Sequence, residues 1–413
     1  MKRSIWLALA VCAVLLLWGP ALYAAKTVYI GGTMSLTGPY AEDSAAVLAG
    51  FQDYVKYVNE TKLMAPWRKE KWPSDITVEL LWRDDELKPA KALSIYEELK
   101  AKDILVYRCS GSPVALALKD RLKQDNMGAT SMSTGSFLMT PPGTIFTYYP
   151  IYTDDLAAVA DWFKKGWKES RKPRVAYLTA DNSMGKSIEI PEMEAYLKNA
   201  GYEFIGTQYV PLVPTSPPTT QLMWLKQNKA DLAVGIMINP GAQPTAKEMV
   251  RLGMGPNQEY KMVFGVGTPC HIVPFADAMG DLGDGLVVAG DYPPWDDMSS
   301  PGIKWMVDLQ KKYRPDKFVR HTQYMGGMVE AMSQLEALRL ALQVTSLEKL
   351  KPADVLNNGF YKIKNLDTGG ITGSPLTYGP GKIEGVDAVR VDQMVKSKIV
   401  NRGAFPCHGV YTH

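Results

Sequence analysis

The sequence has few residues of the kinds that build disulfide frameworks or metal centres. Its 413 residues include only four cysteines and four histidines. No Cys-x-x-Cys pair occurs, and the histidines are scattered along the chain instead of standing at the spacing of zinc ligands. The sequence therefore predicts no metal site, and no motif in it indicates a cofactor.

An excess of charge of one sign is also missing. Lys and Arg together number 46 and Asp and Glu 43, so the formal net charge is only +3. A nucleic-acid-binding protein would show a strong basic excess, because contacts to phosphate dominate its affinity. Nucleic acid is therefore excluded as a partner.

Long hydrophobic runs are absent except at the start of the chain. The basic residues Lys2 and Arg3 precede the apolar run Ile5–Trp18, which ends at Gly19-Pro20 and is followed by small residues. This run is shorter than the roughly 20 residues of a membrane span. The pattern is typical of a secretory signal peptide, here residues 1–24, that leaves no stable membrane insertion after cleavage.

Two other interpretations of this segment stay open. The run could remain as an uncleaved anchor, or Cys12 could mark a lipoprotein. Val11 stands before Cys12 where a lipoprotein signal needs a small residue, and the apolar run continues beyond Cys12. These features favour the cleaved signal peptide.

Strand-like and helix-like stretches alternate through most of the remaining chain. The predicted strands are Thr27–Thr33, Ile76–Trp82, Ile104–Tyr107, Arg174–Leu178, Tyr202–Val210, Leu232–Ile238, Met262–Val266, Leu286–Ala289 and a closing stretch Val386–Val391. Helical patterns lie between them, including Ala246–Leu252, and two long helices, Pro301–Tyr313 and Gln323–Val344, follow. Such alternation is typical of parallel sheets covered by helices. Because the chain is too long for one such core, we predict an α/β protein with two lobes.

Two short motifs resemble parts of enzymes but lack their defining residues. Gly185-Lys186-Ser187 follows a strand as a phosphate-binding loop would, but Ala180 stands where that loop needs glycine. The run Ser110-Gly111-Ser112 does not complete the G-x-S-x-G motif of serine hydrolases. We interpret the first as an ordinary strand-to-helix loop.

The segment around Ser112 indicates a different chemistry. The run Cys109–Pro113 follows a buried strand and precedes a helix, which Ser112 can cap and for which Pro113 suits the first position. A helix start at the carboxyl end of a parallel strand presents unpaired N–H groups to an anion. The polar run Thr130–Ser136 follows the next strand. Together the two segments predict a polar rim that binds a negatively charged group.

Several motifs, in their order along the chain, resemble one family. They are Ser35-Leu36-Thr37-Gly38-Pro39 after the first strand, Asp84-Asp85 followed by Pro89 and Ala92, and the strand Asp231–Val234 followed by the helix Ala246–Gly253. This order resembles the periplasmic branched-chain amino-acid-binding proteins, the type I solute-binding proteins of ABC transporters. The resemblance implies two Rossmann-like lobes joined by three crossover strands, with the ligand in the cleft between them.

The resemblance also implies lobe boundaries and partners. The N-terminal lobe would comprise residues 25–148 and 292–387, and the C-terminal lobe 149–291 and 388–413. Crossovers would lie near Thr147–Pro150, Ala289–Pro293 and Gly385–Val389. The expected location is the periplasm, and the expected partners are a small-molecule ligand and the permease subunits of an ABC importer.

Relatives of this kind hold the α-carboxylate of their ligand with residues that follow the third and fourth strands. Carried over by position, the ligand-binding residues are Ser110, Ser112, Thr134 and Ser136. In the second lobe, Met184 and Asn239 stand where relatives often have aromatic residues. These six residues are predicted to contact the ligand.

The acid that binds the α-ammonium in such relatives has no counterpart here, since Gly267 stands near its position. Either Asp43 or Asp291 takes over this role, or the ligand has no amino group. Without a counter-charge, a buried ammonium would cost several kcal/mol.

The disulfide of the family's first lobe is also broken. Cys109 matches one partner, but Leu87 stands in place of the other. Cys270 and Cys407 could pair instead.

The sequence thus predicts a binding protein and no enzyme. It would carry a small carboxylate, either an amino acid or an aromatic or short-chain organic acid, to an ABC importer. Two alternatives stay open: a ligand-sensing periplasmic module that reports to a receptor, and a secreted hydrolase that uses Ser110 or Ser112.

Overall fold

The computed structural model describes residues 26–290, 292–295 and 297–410. The predicted signal peptide and Asp291 therefore lie outside the described residues. Within these ranges, no helix combines the length and the apolar character that crossing a bilayer requires.

The first sheet is parallel and has the strand order β2-β1-β3-β4-β5. Its strands are β1 (Lys26–Met34), β2 (Ile76–Asp84), β3 (Tyr107–Cys109), β4 (Ala129–Ser131) and β5 (Ile145–Phe146). The helices that connect them are Ala41–Thr61, Pro89–Lys100 and Ser112–Gln124. The predicted strand Ile104–Tyr107 overlaps β3 only at Tyr107, although Leu105 already donates to the carbonyl oxygen of Tyr29 and Val106 accepts the N–H of Gly31 in β1.

The second sheet has seven strands in the order β12-β11-β10-β9-β8-β6-β7. They are β6 (Arg174–Ala180), β7 (Glu203–Val210), β8 (Leu232–Gly235), β9 (Val263–Val266), β10 (Val287–Gly290), β11 (Ala388–Val395) and β12 (Lys398–Pro406). Its helices are Tyr152–Gly166, Ser183–Lys186, Pro191–Asn199, Thr219–Gln227, Asn239–Arg251 and Ile272–Met279. Strands β6 to β10 are parallel, whereas β11 and β12 pair antiparallel.

The chain passes three times between the two sheets. It leaves the first sheet after β5, returns after β10 to form the helices Pro301–Tyr313, Thr322–Leu342 and Pro352–Asn358, and enters the second sheet again at β11. Two of these passages are joined by backbone hydrogen bonds, since the N–H of Gly385 donates to the carbonyl oxygen of Thr147 and the N–H of Thr147 donates to that of Ile383, each at 2.8 Å. This topology confirms the two-lobed α/β fold, and the exact lobe boundaries stay a prediction.

The helix Thr322–Leu342 belongs to the first lobe because it packs closely on Ala41–Thr61. Glycines allow the close approach. A Cβ atom at Gly50 would lie 2.0 Å from the carbonyl oxygen of Tyr324, and one at Gly327 would lie 1.9 Å from that of Val47. This packing places Asp43, in the first turn of the helix Ala41–Thr61, beside the start of the helix Thr322–Leu342.

One helix and one strand are examples of elements that differ from the sequence-based prediction. The helix predicted at Ala246–Leu252 begins already at Asn239, because Pro240 fits its first turn while Pro244 interrupts the apolar pattern. Strand β12 was not predicted, since its sequence does not alternate between apolar and polar residues.

Two cysteines are buried free thiols. Cys109 and Cys270 form no disulfide, and burial raises the pKa of both thiols. The suggested pairing of Cys270 with Cys407 is therefore not formed in this structure. Thiols with a raised pKa in the protein interior are poor nucleophiles.

Candidate functional site

A cavity lies where the carboxyl ends of the two sheets face each other. Strands β1 and β3 are neighbours in the first sheet and β6 and β8 in the second, so each sheet has a point where the strand order reverses. Open α/β sheets bind ligands outside the carboxyl ends of their strands at such points. The free volume left in this cavity is only about 10 Å³, which is room for about one water molecule. It is lined by Tyr40, Asp43, Gly111, Ser112, Met132, Ser133, Tyr152, Met184, Ile238, Thr268, Pro269, His271 and Gln323.

One part of the cavity wall is rich in hydrogen-bond donors. We call Gly111, Ser112 and Ser133 the serine set. Gly111 precedes the helix Ser112–Gln124, so the first unpaired N–H groups of this helix lie at the cavity. The hydroxyl oxygens of Ser112 and Ser133 are 2.8 Å apart. This arrangement can bind a carboxylate, as the sequence predicted for Ser112.

Tyr152, at the start of the first helix of the second lobe, contacts the serine set. Burial raises the pKa of its hydroxyl, and hydrogen bonds with Ser112 and Thr134 oppose this effect. The backbone N–H of Tyr152 also donates to the carbonyl oxygen of Thr134 at 2.9 Å. Thr134 therefore lies behind the cavity wall and supports Tyr152.

The two other predicted serines have partners away from the cavity wall. The Ser110 hydroxyl donates to Asp85 at 2.5 Å, and Ser35 donates to the same carboxylate at 2.7 Å. The Ser136 hydroxyl donates to the backbone carbonyl of Ser187, which connects the two lobes. Ser110 thus organises the loops after β1 and β3, and Ser136 holds the lobes together beside the cavity.

Met184 reaches the cavity from a single helical turn, Ser183–Lys186. A Cβ atom at Gly185 would lie 2.0 Å from the carbonyl oxygen of Ala180, so only glycine lets this turn fold back on β6. The sulfur of Met184 lies 3.2 Å from the hydroxyl of Tyr40 in the first lobe. The motif Gly185-Lys186-Ser187 is thus part of a tight turn that positions an apolar side chain.

A second polar group consists of Asp43, His271, His321 and Gln323, which we call the Asp–His cluster. The Asp43 Oδ1 atom lies 3.1 Å from Nε2 of His321 and 3.7 Å from Nε2 of His271. The Nδ1 atom of His321 accepts the backbone N–H of Gln323 at 3.1 Å. Because Nδ1 is the acceptor here, the nitrogen of His321 that faces Asp43 and can donate to it is Nε2.

His271 belongs to the second lobe and contacts the first lobe through this cluster. Its Nε2 atom is 2.9 Å from Nε2 of Gln323. Asn239 holds the backbone of His271 from both sides, accepting its N–H at 2.8 Å and donating to its carbonyl oxygen at 3.1 Å. Burial lowers the pKa of His271 to about 4, although Asp43 opposes the shift. His271 is therefore a neutral imidazole near pH 7, and Asn239 acts as its support.

Gly267 provides no side chain, and the structure explains why. A Cβ atom there would lie 2.5 Å from Cδ1 of Ile236 and 2.9 Å from Oδ2 of Asp155. Any larger residue at this position would displace the wall of the second lobe. The predicted alternative Asp291 lies outside the described residues, whereas Asp43 lines the cavity.

Sequence reasoning missed several residues that line the cavity. Tyr40, Thr268 and His271 lie within a few residues of predicted sites, in loops that follow strands, and this position was the available signal, whereas Ser133 was included only as a member of the polar run Thr130–Ser136. Gln323 carried no such signal, because it reaches the cavity only through the packing of its helix.

One acidic cluster lies outside the cavity. Asp154, Glu384 and Cys407 bring potential ligand atoms within 4.8 Å of one another. The Asp154 carboxylate, however, accepts the backbone N–H groups of residues 408–410, and Glu384 accepts that of Ile151. The two carboxylates thus anchor the C-terminal segment and the start of a helix.

Comparison with known proteins agrees with this architecture. Residues 27–378 match the family model described as "Periplasmic binding protein". The chain therefore belongs to the periplasmic binding protein family, and the resemblance noted from its motifs is confirmed. A search of curated proteins finds no match.

Solved structures show the same fold at low sequence identity. A branched-chain amino acid ABC transporter protein from Thermus thermophilus with bound valine has 19% identity and a TM-score of 0.81, covering 94% of this chain and 98% of that one. A fatty acid ABC transporter substrate-binding protein from Thermomonospora curvata has 20% identity and a TM-score of 0.73, covering 94% of each chain. A solute-binding protein from Rhodopseudomonas palustris BisB5, in complex with 3,4-dihydroxybenzoic acid, has 18% identity and a TM-score of 0.71, covering 92% and 98%. These neighbours bind chemically different acids, so the fold alone does not define the ligand.

Proposed function

We propose that this chain is a periplasmic solute-binding protein that captures a small carboxylate between its lobes and delivers it to an ABC importer. The observation that carries the proposal is the cavity at the carboxyl ends of both sheets, with the serine set at the start of a helix. Residues 1–24 would direct export. The lobes, 25–148 with 292–387 and 149–291 with 388–413, would close on the ligand by a hinge motion.

The arrangement of serine hydroxyls favours binding over hydrolysis. Ser110 donates to a carboxylate, and Ser112 pairs with another serine. In the described part of the chain, neither hydroxyl has a histidine partner among its hydrogen bonds, and a serine nucleophile needs an adjacent base.

A thermal-shift screen followed by calorimetry tests the function. The panel contains neutral amino acids, their deaminated analogues, benzoate-type acids and short-chain acids. A true ligand at 100 times its Kd should add about 2.7 kcal/mol to the free energy of unfolding. If no small carboxylate stabilises the protein, the proposal is wrong.

The serine set gives a sharper prediction. Replacing Ser112 or Ser133 with Ala should weaken carboxylate binding about tenfold each, because a hydrogen bond to a charged group contributes about 1.5–3 kcal/mol. Ser94→Ala is the matched control, since Ser94 is exposed and donates only to the carbonyl of Ala90. Calorimetric Kd values that are equal for all three variants would show that the carboxylate binds elsewhere.

A further inference from the structure

Asp155 is a fully buried carboxylate immediately behind the cavity wall. It lies in the first turn of the helix Tyr152–Gly166 and has no exposed surface. Its Oδ2 atom accepts the backbone N–H of Thr268 at 2.9 Å and the hydroxyl of Thr268 at 2.6 Å. Thr268 itself lines the cavity. One side chain therefore separates a buried acid from the ligand space.

Asp155 also occupies space next to the position of the missing family acid. The Cβ atom of any residue at 267 would approach Oδ2 of Asp155 to 2.9 Å. Gly267 and Asp155 are thus mutually dependent, because the absent side chain leaves room for the carboxylate. The acid that the sequence lacks at 267 is supplied from an element more than 100 residues earlier in the chain.

The carboxylate is incompletely satisfied in the described structure. Its Oδ1 atom is buried and has no hydrogen-bond partner. The described residues provide it with no Lys, Arg or His partner, since both of its side-chain hydrogen bonds are with Thr268. An ionised carboxylate in such a place is costly unless a positive charge is added.

We propose that Asp155, acting through Thr268, supplies the counter-charge for an amino group of the ligand, so that the site selects ligands with both a carboxylate and an ammonium group. Because the Thr268 hydroxyl donates its proton to Asp155, its oxygen is left as an acceptor for the ligand's N–H. This inference rests on the proposed function and narrows its ligand class. Asp43 already lies 3.1 Å from Nε2 of His321, whereas the described residues give Asp155 no cationic partner.

The environment of Asp155 links binding to proton release. Burial raises the pKa of Asp155 well above its usual range, and Asp154 on the same helix adds to the effect. The titratable groups around it are Asp154 and Tyr152 on its own helix, with Asp43 and His271 at the cavity beyond Thr268. A nearby ammonium favours the ionised carboxylate and therefore lowers this pKa, so binding of such a ligand releases a proton wherever the carboxyl is still protonated.

The experiment compares L-leucine with 4-methylpentanoate, which lacks the amino group, on the full chain and on Asp155→Asn. The wild-type protein should prefer leucine, and calorimetry in buffers of different ionisation enthalpy, repeated at several pH values, should show a pH range in which binding releases a proton. Asp155→Asn should weaken leucine binding about 10- to 100-fold, abolish the release and leave 4-methylpentanoate unaffected. Asp161→Asn, on the same helix but bonded to Tyr196 and His408, is the control.

Stability separates this role from a structural one. Asp155→Asn keeps an acceptor for Thr268 and removes a carboxyl whose ionised form is costly when buried, so ligand-free protein should melt at the same or a higher temperature. A lower melting temperature with unchanged selectivity would assign Asp155 a structural role and overturn the inference. Preference for 4-methylpentanoate, or loss of selectivity only in Asp43→Asn, would also overturn it and leave the proposed function standing. Failure of every carboxylate to bind would instead reject the proposed function.

Discussion

Replacing Glu330 with Gln should lower the free energy of unfolding by about 3–5 kcal/mol, because it leaves a buried arginine without its counter-charge. Arg108 and Glu330 both have fully buried side chains, with Nε and Oε2 3.0 Å apart. Glu330 also accepts the hydroxyls of Thr130 and Tyr148, each at 2.9 Å. The change keeps the shape of the side chain and removes its charge.

Urea denaturation followed by circular dichroism measures this loss. The control is Glu348→Gln, whose partner Lys26 lies with it at the surface, where an ion pair contributes about 0–1 kcal/mol. Similar losses for the two variants would show that Arg108 is stabilised by other contacts, such as its bond to the carbonyl of Thr33 at 2.8 Å.

The position of this ion pair connects stability with the hinge. Glu330 lies on the helix Thr322–Leu342, Arg108 on β3, and Tyr148 in the first passage between the lobes. The pair therefore fixes the helix that carries Gln323 and the strand that precedes the serine set on one rigid body. Weakening the Arg108–Glu330 ion pair should therefore disturb the cavity wall both at Gln323 and at the serine set.

The sequence predicted the fold well because its determinants are local. Alternating strand and helix patterns place loops such as Ser110–Ser112 at the carboxyl ends of parallel strands, whatever the details of packing. Ser112 lies at the cavity, as its position after a strand predicted, and so do Met184 and Asp43, which were suggested by the family resemblance. Local sequence patterns are therefore sufficient to predict which residues lie at the cavity when the fold topology alone decides where a residue lies.

The same reasoning fails where distant residues compete for one side chain. Nothing near Ser110 in the sequence reveals that Asp85 takes its hydroxyl, and nothing near Gly267 reveals that Asp155 fills the adjacent space. Asn239 is a similar case, because its amide is bonded to the backbone of His271 and does not line the cavity. Only the packed structure decides these partners.

Ligand affinity should fall as the pH is lowered from 8 to 5, by about 30-fold in Kd, because the joined lobes bury His271 as a neutral imidazole. Burial lowers the pKa of His271 from 6.5 to about 4. If the open lobes return this pKa to its usual value, closure releases a proton below about pH 6.5. The favourable free energy of lobe closure is then at its full value above pH 6.5 and becomes smaller as the pH falls toward 4.

Calorimetric Kd values at several pH values measure the effect, with circular dichroism to show that the protein stays folded. His271→Asn removes the titrating ring while keeping a polar side chain next to Gln323, so its affinity should vary much less between pH 8 and 5. Asp43 and His321 belong to the same cluster as His271, and Asp155 is a further ionisable group behind the cavity wall. Asp155→Asn is therefore measured in parallel. A slope that survives in His271→Asn and disappears in Asp155→Asn would assign the pH dependence to the buried acid, whereas the reverse result assigns it to the imidazole at the contact between the lobes.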